Sequence, residues 1–371
     1  MVQGTGQFDS VVEDTVAPYA TGCSINFGTG EFEIKFSESI ASLAVDNTIG
    51  VAIDDSGSVT NYPIAYTLDA IVSEVASLRF GDELERATLA LVESLSETNV
   101  YSLDLGANLV ADASGNLLPM QTMACTAIYR DVYSPEIVDV QLDLDKGLVV
   151  IQANETLTGV SNDILQAVSL TSQGNTPIIL GSSFLTGYTP QELVVVENDT
   201  ISITLYEGQR DALITHSNNG NFAITVDVAA NAFFDNVGNA VVPVVAEAVT
   251  IQSTDVTLPT IVGSSINLGD NTISIWFSEY VPTWNVLDLA ISGVSLGADS
   301  SVTSSIMEGN MTIEFGSVNA ERDAIIDAYL ANGVPFEYTI GTDTFRDTAG
   351  NIMVQGTGQF DSVVEDTVAP Y

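Results

Sequence analysis

Asp14-Thr-Val-Ala-Pro18 is the first of four copies of one phrase, an aspartate separated from a proline by three residues. The others are Asp131-Val-Tyr-Ser-Pro135, Asp255-Val-Thr-Leu-Pro259 and Asp366-Thr-Val-Ala-Pro370. Successive aspartates are 117, 124 and 111 residues apart. Each interval is the length of one domain, so the phrase marks the joints between domains. Residues 1–19 are identical to residues 353–371, an offset of 352 that equals the three intervals taken together. The chain is therefore expected to be a window on a longer periodic polypeptide, one period plus an overlap. Met1 is then an internal methionine, as Met353 is. The expected division is 1–13, the last strand of a preceding domain; 14–130, 131–254 and 255–365, three domains; and 366–371, the start of the next repeat.

Working outward from each joint, the chain shows period-two patterns. Glu31-Phe-Glu-Ile-Lys-Phe36 follows a Gly-rich turn at Gly28-Thr-Gly30, Leu148-Val-Val-Ile151 follows a turn over 143–147, and Thr272-Ile-Ser-Ile-Trp-Phe277 follows Gly269-Asp-Asn271. Alternation bounded by Gly, Asn and Asp predicts β-hairpins. Short strands and turn signals continue through each interval, the pattern of a sandwich of about seven antiparallel strands. One amphipathic helix interrupts each: Asp82 to Glu93, Gly208 to Ile214 and Ala320 to Leu330. The expected fold is all-β: three tandem Ig-like β-sandwiches in a linear array, each with a short side helix. Three of the six arginines, Arg86, Arg210 and Arg322, fall in these helices. Either each makes a structural ion pair with a nearby carboxylate, or it binds a ligand.

Composition narrows the function. Eight basic against 49 acidic residues give a net charge of −41, a surface that repels nucleic acid and anionic membranes and attracts divalent cations. No apolar stretch reaches the length of a membrane span. No signal peptide is visible, which in an internal window says nothing about export. The two cysteines, Cys23 and Cys125, fall on the first and last strands of the first domain. A disulfide there would close about a hundred residues, worth up to roughly 4–5 kcal/mol in the chain-entropy model, and implies an oxidising compartment; the alternative is two buried thiols. At the same offsets the later domains carry Val140 with Val249 and Ser264 with Phe360, so this staple belongs to the first domain alone.

Two more carboxylates keep step with the joints. Glu38, Glu155 and Glu279 each lie 24 residues after a joint aspartate, at the end of the second strand. Near each domain's end comes Asp-x-x-Gly-Asn: Asp112 to Asn116, Asp235 to Asn239 and Asp347 to Asn351. In an antiparallel sandwich the joint Asp, the strand-end Glu and this turn converge at the end where the chain enters. Three unpaired charges there repel, by roughly 1 kcal/mol per pair at 4 Å even in water. Ca²⁺ takes six to eight oxygen ligands and resolves the conflict. The expected metal sets are Asp14, Glu38 and Asp112; Asp131, Glu155 and Asp235; and Asp255, Glu279 and Asp347. The alternative is that the Asp residues cap turns and the Glu faces water.

Asp-x-x-x-Pro, an alternating strand ending Phe-Ser-Glu, and Asp-x-x-Gly-Asn before the final strand together resemble the bacterial Ig-like domains of surface proteins, both the SbsA-type S-layer repeats and the extender arrays of large adhesins. The second domain departs from the pattern at Ala153-Asn-Glu155. The resemblance implies β-sandwich beads exported to the cell surface, Ca²⁺-bound, with a mechanical or spacing role. The expected function is thus a structural repeat of an extracellular fibre or adhesin stalk, Ca²⁺ at its junctions and neighbouring repeats as partners. The alternative is a carbohydrate- or protein-binding adhesive module.

The remaining signals are weak. Sequons at Asn154, Asn198 and Asn310 are no more frequent than chance. His216, the single histidine, reads as a helix-end residue. No nucleophile triad, zinc spacing or phosphate loop is present, so no enzyme is expected. Trp276 and Trp284 read as core packing, with a sugar-stacking surface as the alternative. Continuity with neighbouring repeats could be covalent, or could arise by donation of residues 1–13 to another chain; the overlap reaching Tyr19 favours covalent continuity.

Overall fold

The computed structural model describes residues 12–44, 49–55, 58–81, 86–90, 92, 100–158, 164–172, 174–181, 194–297, 300–305, 310–315, 319–333 and 335–365. The fourth joint phrase, and residues 1–11 of the expected leading strand, lie outside them. The chain is all-β with few helices, and its strands form paired sheets. It divides into two compact units. One holds residues 1–136, 153–159 and 233–242, the other residues 137–152, 160–232 and 243–371. Among the described residues no sheet joins strands from opposite sides of a joint aspartate.

In the first unit a five-stranded sheet runs in the order Ala127–Tyr129, Ala20–Asn26, Glu31–Phe36, Val75–Phe80, Tyr66–Val72. It faces a four-stranded sheet ordered Gln121–Ala124, Val100–Leu105, Ile49–Asp55, Ser58–Ile64. Alternation drives the assembly: Phe32, Ile34 and Phe36 are buried while Glu31, Glu33 and Lys35 face out, so one face of the strand carries all the apolar area. Leu78 joins Phe32, Ile34 and Phe36 from the neighbouring strand of the same sheet, and Tyr101 and Leu103 fill the core from the facing sheet. Two features differ from the expected seven antiparallel strands. Ile49–Asp55 and Ser58–Ile64 form an additional long hairpin. The last strand also splits: Gln121–Ala124 pairs antiparallel with Val100–Leu105, and Ala127–Tyr129 then pairs parallel with Ala20–Asn26 in the other sheet. The crossing occurs at Cys125, which is disulfide-bonded to Cys23 with Cα atoms 4.6 Å apart. The staple thus ties the first strand to the last where the last changes sheets.

The second unit holds two further pairs of sheets. One five-stranded sheet is ordered Val194–Glu197, Thr200–Thr204, Leu148–Ala153, Ile137–Asp143, Thr250–Ser253, and its four-stranded companion is Ile178–Ile179, Val168–Ser172, Ile224–Val228, Val244–Ala248. The other pair is Ser301–Ser305, Asn310–Glu314, Thr272–Phe277, Ile261–Asn267, Ser362–Val364 against Val294–Ser295, Leu289–Ile291, Glu337–Ile340, Gly356–Gln359. In both, the last strand again pairs parallel with the first. The second unit's two longer helices among the described residues are Glu207–Ser217 and Asn319–Asn332, each longer than its apolar period suggests, beside a short helix at Ile164–Ala167 and a 3-10 turn at Val286–Asp288. In the first unit residues 86–90 are helical. Gln209 Oε1 accepts the Tyr206 backbone N–H at 3.1 Å and so starts the helix Glu207–Ser217. Asn218, at φ 50°, ends it in the left-handed conformation.

Candidate functional site

The nine carboxylates expected from the spacing fall into three clusters. In each of Asp14/Glu38/Asp112, Asp131/Glu155/Asp235 and Asp255/Glu279/Asp347, one oxygen per residue lies within 4.8 Å of the others. Each member is placed by its own local structure. The glutamates follow the strands Glu31–Phe36, Leu148–Ala153 and Thr272–Phe277. The Asp-x-x-Gly-Asn aspartates are wrapped by their own loops. Asp235 Oδ1 accepts the backbone N–H groups of Val237, Gly238 and Asn239 at 2.9, 2.7 and 2.8 Å, and Oδ2 accepts Asn239 Nδ2 at 2.7 Å. Asp112 and Asp347 are held in the same way by Asn116 and Asn351. The loop turns at Gly115, Gly238 and Gly350, with φ of 88°, 97° and 93°, a conformation a side chain opposes.

The same asparagines also grip the linker. Nδ2 of Asn116, Asn239 and Asn351 donates to the carbonyl of the joint residue Asp14, Asp131 or Asp255, at 3.0, 3.5 and 3.4 Å. The third joint has two further anchors. Asn219 donates to the Asp255 carbonyl and accepts its N–H, at 3.0 and 2.9 Å. Asp145 Oδ1 accepts the N–H groups of Val256 and Thr257 at 3.0 and 2.9 Å.

The helix arginines complete two of the clusters. Arg86 Nη1 lies 2.9 Å from Asp131 Oδ2, and its Nη2 lies 3.0 Å from Glu155 Oε2. Arg210 Nη2 lies 2.9 Å from Asp255 Oδ2, and its Nη1 lies 3.2 Å from Glu279 Oε2 and 3.1 Å from Glu207 Oε1. Of the two readings of these arginines, the structure supports the ion pair, and its partners are the joint Asp and strand-end Glu beyond the next joint phrase. The sequence held a signal for this: Arg86, Arg210 and Arg322 precede the next joint aspartate by 45, 45 and 44 residues. The arginine stems are seated on the turn between the first two strands. A Cβ added at Gly30 would meet Arg86 Cδ at 3.0 Å, and one at Gly147 would meet Arg210 Cδ at 3.3 Å. Phe27 and Leu144, at the same offset from their joints, accept hydrogen bonds from the two guanidinium groups through their carbonyls.

One arginine does not balance three carboxylates, and burial makes the remainder costly. Burial pushes Glu155 up to about 7; Asp131 adds to the rise and Arg86 opposes it. Burial likewise raises Glu279 to about 7 and Asp255 to about 6, against the pull of Arg210. Glu38 is raised by desolvation and then by Asp14 and Asp112. Asp112 goes the other way: the hydrogen bonds from Asn116, Ser114 and Gly115 outweigh the effect of burial and lower it. Asp255 Oδ1 and Oδ2 and Glu279 Oε1 are buried with no hydrogen bond of good geometry. Arg210 Nη2 lies 2.9 Å from Asp255 Oδ2, so its charge reaches that oxygen, whereas Asp255 Oδ1 and Glu279 Oε1 have neither a hydrogen bond nor an ion pair. Oxygens that share one Ca²⁺ at 2.3–2.6 Å stand within about 5 Å of one another, and the clusters meet that limit.

Other sequence candidates are placed as follows. His216 sits in the last turn of its helix, with Nδ1 buried and unpartnered. Trp284 packs on the third core, whereas Trp276 is 38 % exposed. Asn154 Oδ1 accepts the Glu136 N–H. Asn198 occupies an exposed turn at φ 53°, and Asn310 opens a strand. Asp211, not singled out by sequence, is buried in the helix beside Arg210. Burial, then Glu207, raises it to about 7, and it lines a cleft of about 490 Å³ with Tyr280 and Arg346. No helix among the described residues is long and apolar enough to cross a membrane.

No protein-family model matches the sequence, and no curated protein matches it. Similar solved structures include the FN1–FN3 domains of chicken CNTN1, at 10 % identity over 93 % of this chain and 99 % of that one, TM-score 0.22. They also include an adhesin described as Ca²⁺-stabilised, with which an Antarctic bacterium reaches out and binds ice, at 16 % identity over 94 % and 75 %, TM-score 0.15. Extracellular domains 3–5 of Drosophila OTK match at 10 % identity over 92 % and 93 %, TM-score 0.20. Superpositions this loose carry no argument about function.

Proposed function

We propose that this chain is a structural repeat of a long extracellular fibre or cell-surface adhesin stalk, and that Ca²⁺ stiffens its joints. The observation that carries the reading is the joint itself. An arginine on one side of the joint phrase meets an Asp–Glu–Asp cluster on the other, in the same arrangement at Asp131 and at Asp255. Repeated modules whose contacts recur only at their seams serve length and stiffness. The disulfide supports an oxidising compartment. The residues that would hold Ca²⁺ are the three clusters. The ion would supply the positive charge that the arginines leave wanting.

Two experiments test this. The flanking gene gives the number of 352-residue periods: many support a fibre, and a single one contradicts it. Melting the protein in Ca²⁺ and in chelator tests the metal. The second reading, an adhesive module, is favoured by one feature. The cleft beside Asp211 brings Asp211, His216, Tyr280 and Arg346 to one opening, and saturating the protein with glycans on an array would show whether it captures one.

A further inference from the structure

The first cluster differs from the other two. Among the described residues no lysine or arginine pairs with Asp14, Glu38 or Asp112, and residues 1–11 contain no basic residue. At the other end of the chain stands the third helix arginine, Arg322. It rises from the same helix, 44 residues before a joint aspartate, and it lies over the same hairpin turn. In that turn Asn271, at φ 59°, takes the position of Gly30 and Gly147, and its Oδ1 accepts Arg322 Nε at 2.7 Å. Arg322 thus lies over its turn as Arg86 and Arg210 lie over theirs, held there by Asn271 in place of a backbone carbonyl and with Nη1 3.8 Å from Asp323 Oδ1 of its own helix. The chain leading into the fourth phrase is also brought to this helix: Tyr329 donates its hydroxyl to Glu365 Oε1 at 2.8 Å, one residue before Asp366.

We infer that Arg322 is the cation of the next period's first cluster: its guanidinium enters the Asp14–Glu38–Asp112 site of a second copy of this chain, covalently continuous through the shared nineteen residues. Three arguments converge. The donor occupies the position from which two other arginines reach their clusters. The acceptor is the one cluster of the three without such a partner in this chain. The sequence around the acceptor's joint, from Met1 to Tyr19, is repeated without change after the donor, from Met353 to Tyr371. This inference rests on the repeat reading above, but it is separable from the metal: the arginine contact is made whether or not Ca²⁺ binds.

The test compares the single chain with a tandem of two copies fused through the shared nineteen residues, both followed by calorimetry in chelator. Arg322→Glu in the first copy should lower the transition of the joined modules by about 4 °C or more beyond its effect in the single chain. Glu38→Arg in the second copy should do likewise, and the two together should recover part of the loss. Arg322→Gln, which adds no repulsion, is the milder variant should Arg322→Glu fail to fold. Equal losses in tandem and single chain, or a double variant no better than the two single losses combined, would overturn the inference. If the swap fails while Ca²⁺ still raises the melting temperature of the single chain, only the arginine hand-over is lost and the metal-stiffened repeat stands.

Discussion

Arg210 Nη2 stands 2.9 Å from Asp255 Oδ2, with the arginine side chain 8 % exposed and the aspartate 1 %. An ion pair so dry is held by geometry rather than by net gain, and breaking one partner is far costlier than never having had the pair. Arg210→Met should therefore destabilise the chelated protein by about 3–5 kcal/mol, since Asp255 and Glu279 are left buried against each other. Arg346→Met removes an ion pair with Asp343 whose partners are 37 % and 46 % exposed, and should cost far less because solvent screens it. Urea denaturation of the two variants reads the contrast; equal losses would mean that the buried cluster has no special standing.

The linker clamp gives a second expectation. Asn219 closes a two-point hydrogen bond on the backbone of Asp255. Asn219→Ala leaves the part-buried Asp255 N–H unmatched and its carbonyl with Asn351 alone, for a loss of about 1–3 kcal/mol. Amide exchange should then accelerate at Asp255 itself and at Val256 and Thr257, beside the Asp145 carboxylate. An unchanged exchange pattern would show that Asp145 alone fixes the linker.

The pH response follows from the raised carboxylates. Glu155 and Glu279 hold their protons up to about 7 in the folded protein, above the ordinary glutamate value. A folded-state pKa above the unfolded one contributes stability that is complete below the unfolded value and is lost as pH rises through the folded value. The chelated protein should thus lose melting temperature between pH 4.5 and about 7 and level off above. Asp112 and Asp145 are lowered instead, so their contribution is lost only as pH falls further into the acid range. Melting curves at half-unit pH steps test this; a metal-free protein most stable at pH 8 would contradict it.

The disulfide spans 102 residues. Cys23→Ser with Cys125→Ser should cost the first module up to about 4–5 kcal/mol in the chain-entropy model. In calorimetry one transition should move and the rest stay, because the other two sheet pairs hold no cysteine. A uniform shift of all transitions would show that the modules do not unfold independently.

Much of this was legible before any coordinates. Alternation in Glu31–Phe36 and Thr272–Phe277 gave the strands, and the fixed distance from joint Asp to strand-end Glu, with the recurring Asp-x-x-Gly-Asn turn, brought nine carboxylates into three groups. Period-two patterning survives in sequence because one face must be apolar along its whole length. The split last strand was not legible, because a crossing between sheets leaves no periodic trace: Gln121–Ala124 and Ala127–Tyr129 read as one strand. The extra hairpin of Ile49–Asp55 and Ser58–Ile64 was not singled out because Ser-Gly marks a bend without fixing which strands pair. The arginine partners were missed for another reason. A contact between Arg86 and Asp131 crosses a joint, and spacing shows it only when the arginines are counted forward to the next phrase rather than back to the last. Asp211 left no mark at all, since burial of a helical carboxylate depends on what the helix packs against.

The most direct test of the joint is Ca²⁺ itself. Isothermal titration of chelated protein with Ca²⁺ at pH 7.5, repeated on Glu279→Gln, should show binding in the parent and the loss of one site in the variant, with a melting temperature that rises on Ca²⁺ and falls back in chelator. No heat of binding, together with melting curves that superimpose in Ca²⁺ and in chelator, would contradict the account.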